Sequence, residues 1–149
     1  MDEFSDLIPR FDLQGMDLQL DRMRAALHEL EGPCRDVPAI QVAGTNGKGS
    51  IVRFIETALL QADVHCGVTT SPHLISWCER IRVADVIPAA TLRSLLLDLQ
   101  EVSRRNRLTP FELLTTAALV HFQRQCVELL VLEVGLGGRL DATTAHPHR

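Results

Sequence analysis

No apolar stretch in this 149-residue sequence is long enough to cross a bilayer. The longest runs, such as LLVL at 129–132, fall far short of the roughly 20 residues a spanning helix needs. The N-terminal MDEFSDLIPRF is acidic and lacks the apolar core of a secretory signal, so a cytoplasmic protein is expected and no membrane partner. Basic residues are not in excess either. Fifteen Lys and Arg stand against 19 Asp and Glu, a net charge of −4, and no dense basic patch offers the electrostatic footprint of a nucleic-acid partner. The four cysteines, Cys34, Cys66, Cys78 and Cys126, form no CxxC and no Cys/His ligand spacing. That supports neither a zinc site nor a disulfide framework and leaves reduced, mostly buried thiols as the expectation. His146 and His148 form an HxH without a third ligand nearby and are expected in a solvated tail. Internal repeats and low-complexity segments are absent.

What is present suits one soluble domain with a real core: 46% apolar and 23% charged residues. Asp17 is placed to cap a first helix with Leu20, Met23, Leu27 and Leu30 on one face, and Gly32-Pro33 to stop it. AIQVAG reads as a short strand running into a glycine loop. The helix after the loop is expected to turn Ile51, Ile55, Ala58, Leu59 and Ala62 inward. HCGVTTS reads as a second strand. PHLISWCERIRVADVI has no clean period and is expected to be a long functional loop with a hairpin at ERIRV. Pro88 opens a helix with Leu92, Leu95, Leu96, Leu99 and Val102 inward. Thr109, Pro110 and Glu112 form a capping box that starts the next helix, which runs to about Gln125. VELLVLEV is a buried strand, left with an unpaired edge, and GLGGRLDATT a loop. Glu128 opens that strand and is expected at the surface. Strands alternating with helices predict an α/β fold with a mostly parallel sheet flanked by helices, whose ligands gather at the carboxyl ends of the strands.

The chemistry concentrates there. In VAGTNGKGS, Gly44 and Gly47 let the backbone turn tightly and present N–H groups to an anion. The following helix aims its positive end at the same place, and Lys48 adds a point charge. The match to a P-loop is imperfect: Ala43 stands at the first glycine, and Gly49 where Ser or Thr is usual, with Ser50 one place late. Glu133 ends an apolar strand, where an acid beside the loop can hold Mg²⁺. Ser71 ends the second strand and either supplies the hydroxyl that Gly49 lacks or caps the turn before Pro72. His73 is expected to face solvent. Arg139 can take an anion bidentately or pair internally. Alternation puts Arg80 and Arg82 on one strand face, facing either an anionic substrate or solvent.

Four motifs together, VAGTNGKGS, TTSPHL with ERIRV, TPFELLTTAAL and LEVGLGGRLDATT, resemble the folylpolyglutamate synthase/dihydrofolate synthase family of the Mur-ligase superfamily. They follow in family order over most of residues 17–144. The resemblance implies an ATP-dependent ligase that activates a folate-type carboxylate, of dihydropteroate or tetrahydrofolate, as an acyl phosphate and joins it to glutamate. It implies ATP phosphates cradled by Gly44, Thr45, Asn46, Gly47, Lys48, Gly49 and Ser50, with Lys48 and Glu133 catalytic. It also implies Mg²⁺ on Ser71 and Glu133, with Ser50 as the alternative ligand. Phe111 and Asp141 match positions near the pterin, with Arg80, Arg82 and Arg139 as further substrate contacts, and the family tends to monomers. TTAHPHR departs from the asparagine usual after DAT. The family's second-metal ligands and glutamate-binding domain have no counterpart, so residues 1–149 are expected to be an N-terminal part of the ATPase domain and inactive alone. Competing readings are another Mur-type ligase of cell-wall precursors, a P-loop phosphotransferase, which Gly49 disfavours, and a non-catalytic partial domain.

Overall fold

The computed structural model describes residues 3–9, 20–135 and 142–147. Its elements are α1 (Leu20–Glu29), β1 (Ala39–Val42), α2 (Lys48–Gln61), β2 (Cys66–Thr69), β3 (Ile81–Val83), β4 (Asp85–Val86), α3 (Ala89–Asp98), α4 (Gln100–Asn106), α5 (Pro110–Arg124) and β5 (Leu129–Glu133), with 3₁₀ turns at Trp77–Arg80 and Ala142–Ala145. The sheet order is β1-β5-β2-β3-β4. β5 pairs in parallel with β1 on one side and β2 on the other, and β3 and β4 add an antiparallel hairpin beyond β2. The expected free edge after VELLVLEV is therefore not there: β5 has a neighbour on each side, and its run of apolar residues reflects burial on both faces. Asp17 and His148 lie outside the described residues.

Two helix layers cover the sheet. On one face α1, α3, α4 and α5 build the large core with Leu130 and Leu132, joined by Phe4, Leu7 and Ile8 of the N-terminal turn. On the other, α2 packs Val52 over Val42, Cys66, Val68 and Val131. The inward face of α2 differs from the sequence expectation. Val52 and Glu56 are buried, Ile55 and Leu59 half-buried, while Ala58 and Ala62 are exposed and Ile51 is 50% exposed. This helix carries apolar residues on two adjacent stripes, so periodicity does not select the phase; the burial of Glu56 against Arg82 does.

The Leu-rich helix after Pro88 is broken into α3 and α4 at Leu99. The Gln100 side chain donates to Leu96 O at 3.0 Å, entering the carbonyl ladder that a continuous helix would use for its own N–H. α5 starts on the expected capping box: Glu112 N donates to Thr109 Oγ1 at 3.2 Å and Thr109 N to Glu112 Oε2 at 2.7 Å.

Gly67 of β2 is where α5 comes closest to the sheet. A Cβ there would lie 2.6 Å from ring atoms of Phe122, itself fully buried. Gly67→Ala should therefore force a fixed aromatic ring to move and cost about 1–3 kcal/mol, read as a lower urea midpoint. A neutral result would mean that α5 can lift from the sheet freely.

Cys34, Cys66 and Cys78 are buried free thiols as expected, and Cys126 is exposed. Burial pushes the Cys34 thiol up to about 11, which keeps it protonated and unreactive. His146 corrects the expected solvated tail: it is 2% exposed, and its Nε2 lies 2.7 Å from Cys34 O, closing the C-terminal turn onto the segment after α1. No helix among the described residues is long and apolar enough to cross a membrane.

Candidate functional site

β1, β5 and β2 are parallel neighbours, so their carboxyl ends open on one rim of the sheet. β1 delivers the loop that begins at Ala43, β5 delivers Glu133, and β2 delivers Thr69 and then Ser71. Val42 and Glu133 are register partners, so the acid stands directly beside the start of the loop.

The loop takes its shape from two positions that disfavour a side chain. Gly44 has φ 152° and Gly47 φ 77°, and Gly47 caps α2 in the left-handed conformation. Lys48 is the first helical residue. Its Nζ reaches back to donate to Gly44 O at 2.9 Å, so the cation sits over the loop. Thr45, Asn46 and Ser50 are exposed. Nothing lies within 4 Å of a Cβ built on Gly49, so the missing hydroxyl at that place has no steric cause.

Glu133 is 5% exposed, and its Oε2 accepts from Ser71 N at 3.0 Å. The two residues singled out as metal ligands, 62 positions apart, thus meet. A carboxylate and a hydroxyl are hard oxygen donors of the kind Mg²⁺ takes, with phosphate and water completing its shell. Among the described residues no three His, Cys, Asp or Glu side chains gather into a metal-binding group.

The segment after Ser71 is more ordered by its own hydrogen bonds than its sequence suggested. Ser76 caps the 3₁₀ turn, and Glu79 closes the reciprocal box. The Glu79 carboxylate collects the N–H groups of Leu74, Ile75 and Ser76 at 2.8–3.0 Å, and these bonds hold its pKa below the usual value. Leu74 and Ile75 meanwhile point their side chains out, 91% and 93% exposed. The hairpin is Ile81–Val83 with Asp85–Val86, turning at Ala84 with φ 60°.

Arg80 closes the 3₁₀ turn and precedes β3, so strand alternation does not govern it, and it and Arg82 do not share partners. Arg80 Nε donates to His73 Nδ1 at 2.8 Å, and its guanidinium lies 4.7 Å from the Trp77 ring centroid. His73 is therefore no solvent-facing histidine; its ring centroid is 4.3 Å from that of Trp77. Burial lowers the Arg80 pKa while nearby Glu133 opposes that shift. Arg82 turns to the other face: its Nε donates to Glu56 Oε1 at 2.9 Å, while Arg53 holds Oε2 at 2.7 Å. It braces α2 to the hairpin, where an anionic substrate or solvent had been the expectation.

Phe111 lies in the first turn of α5 and is half-buried beside Arg80, Thr69 and Glu133 around a small cavity. Arg139 and Asp141 lie outside the described residues. Sequence reading misjudged the setting of His73 and gave no role to Trp77, Thr69 or Glu56. None of these stands in a glycine loop or belongs to the residues that the family motifs single out, and each takes its setting from residues brought near by the fold.

No family model matches the chain. Among curated relatives, the probable dihydrofolate synthetase of Schizosaccharomyces pombe is 42% identical over 131 residues, which cover 86% of this chain and 31% of the relative. The dihydrofolate synthase/folylpolyglutamate synthase of Haemophilus influenzae is 36% identical over 142 residues, covering 95% of this chain and 32% of the relative. Among solved structures, Escherichia coli FolC in complex with DHPP and ADP matches with a TM-score of 0.83 at 35% identity, over 98% of this chain and 36% of that one. The chain belongs to the folylpolyglutamate synthase/dihydrofolate synthase family. Its α/β fold is that of the family's Mur-ligase-type structures, as the four motifs implied. It spans about a third of the length of these relatives.

Proposed function

We propose that the chain is the ATP- and magnesium-binding part of a cytoplasmic ligase that joins L-glutamate to a folate-type carboxylate, dihydropteroate or tetrahydrofolate. The convergence of the glycine loop, Ser71 and Glu133 on adjacent parallel strand ends carries this reading. In it, residues 1–149 lie within the ATP-binding domain, and the whole protein works as a monomer on small molecules.

Loop residues Gly44–Ser50 and the amino end of α2 bind the triphosphate through backbone N–H groups and the helix dipole. Lys48 stabilises the charge that develops as the substrate carboxylate oxygen attacks the γ-phosphorus and ADP leaves. The glutamate amine then attacks the acyl carbon, phosphate departs, and an amide remains. Mg²⁺, held by Glu133 and Ser71, would neutralise phosphate charge during transfer. The cavity beside Phe111 and the phosphate loop flank Glu133 from different sides, which suits transfer between a nucleotide and a second substrate. Phe111 and Arg80 contact that substrate, and so do Arg139 and Asp141 by family likeness.

Titrating the chain with Mg²⁺ at fixed AMPPCP in a calorimeter tests the assignment. Glu133→Gln keeps size and removes charge, and should raise the magnesium requirement by about tenfold or more; Ser71→Ala should do so more mildly and Ser50→Ala least. Should Ser50→Ala prove the most damaging, the loop hydroxyl holds the metal and Ser71 only caps its turn.

A further inference from the structure

Thr69 ends β2 and is 8% exposed, yet its Oγ1 is buried without a hydrogen-bond partner among the described residues. Such a group is rare, because an unpaired buried hydroxyl forfeits its hydration for nothing. Its neighbours do not share the condition. Thr70 Oγ1 donates to Glu79 O at 3.1 Å, and Thr115 Oγ1 to Phe111 O at 2.9 Å. All three threonines line one cavity with Phe111, Arg80 and Glu133, and its volume of about 10 Å³ admits a single water-sized atom. Alternation along β2 puts Thr69 on the same sheet face as Gly67, which meets Phe122 of α5. Thr69 therefore faces α5, away from α2 and its phosphate loop.

We propose that Thr69 is a specificity-determining contact: its hydroxyl hydrogen-bonds one polar atom at the rim of the flat, heteroaromatic end of the folate-type substrate. This rests on the ligase reading above. The cavity is too small for a ring but right for one exocyclic oxygen or nitrogen, with Phe111 and Arg80 at hand to pack against a planar group. A site built to pair a buried hydroxyl discriminates strongly, since a ligand lacking the matching atom leaves that hydroxyl unpaired. The free protein carries the cost, and the substrate relieves it.

Thr69→Val replaces the hydroxyl by a methyl of the same shape, and the two consequences have opposite sign. The melting temperature of the free chain should equal or exceed that of the wild type, because an unpaired polar group is removed. Affinity for dihydropteroate, measured by calorimetry in the presence of Mg-AMPPCP, should fall about tenfold. The loss should fall on dihydropteroate rather than on Mg-AMPPCP, and Thr69→Ser should restore most of it. A clearly lower melting temperature for Thr69→Val would show that the hydroxyl already has a structural partner, such as a bound water, and would overturn the proposal. Undiminished dihydropteroate binding by Thr69→Val would overturn it too, while leaving the ligase reading intact. A whole protein carrying the wild-type sequence that binds Mg-AMPPCP but no dihydropteroate would remove the folate reading and this proposal together.

Discussion

Lys48→Ala is expected to cut ATP-dependent turnover of the protein carrying this sequence by about a hundredfold or more, because it removes a cation from a charge-developing phosphoryl transfer. The geometry makes the test clean. Lys48 Nζ holds Gly44 O at 2.9 Å at a solvent-exposed place, so its loss removes little folding energy. The positive φ angles that turn the loop lie at Gly44 and Gly47, not at Lys48. The melting temperature of the variant should thus stay close to the wild type while turnover collapses. Steady-state kinetics at saturating ATP measures the effect. An unchanged rate would mean that the loop binds something other than the phosphates or that another cation does the work.

The second large effect concerns stability. Glu56 lies on α2, its side chain is 3% exposed, and it is held between Arg82 of the hairpin and Arg53 of its own helix. Glu56→Ala leaves Arg82, only 17% exposed, with no carboxylate where two oxygens were shared. Removing one partner of a buried ion pair costs about 3–5 kcal/mol, so the melting temperature should fall by on the order of 10 °C. Replacing both Glu56 and Arg82 by methionine should recover much of the loss, since the one cation left without a carboxylate, Arg53, is 56% exposed and no buried charge stays uncompensated. A single-variant loss below about 1 kcal/mol would put the pair in the class of exposed bridges and end the view that it clamps α2 to the hairpin.

Both predictions concern α2, and only one was visible in the amino-acid order. Lys48 stands in a glycine loop between an apolar strand and a helix, three local signals that agree. Glu56 stands in a helix with apolar residues on two stripes, and its meaning depends on Arg82, 26 positions away. The same contrast separates the other residues. Glu133 and Ser71 were marked by their places at strand ends. Arg80 was marked as a charge, but its setting was misjudged: a 3₁₀ turn precedes β3, capped by Ser76 and Glu79, and periodicity carries no record of one short turn. His146 read as tail because nothing nearby in sequence buries it; its partner, Cys34 O, is 112 positions away.

The amino-acid sequence by itself determined most of the longer elements, the phosphate-type loop, the capping of α5 and the family. Each of these follows from local patterns, in which turn residues, caps and apolar runs act within a few positions. Tertiary structure alone decided that β5 lies between β1 and β2, which face α2 buries, and that Thr69 keeps a hydroxyl without a partner among the described residues. Strand order, helix phase and polar satisfaction are properties of which distant surfaces meet. Several arrangements share one local pattern, and the choice among them is made by burying charge with charge and by packing Phe122 onto Gly67.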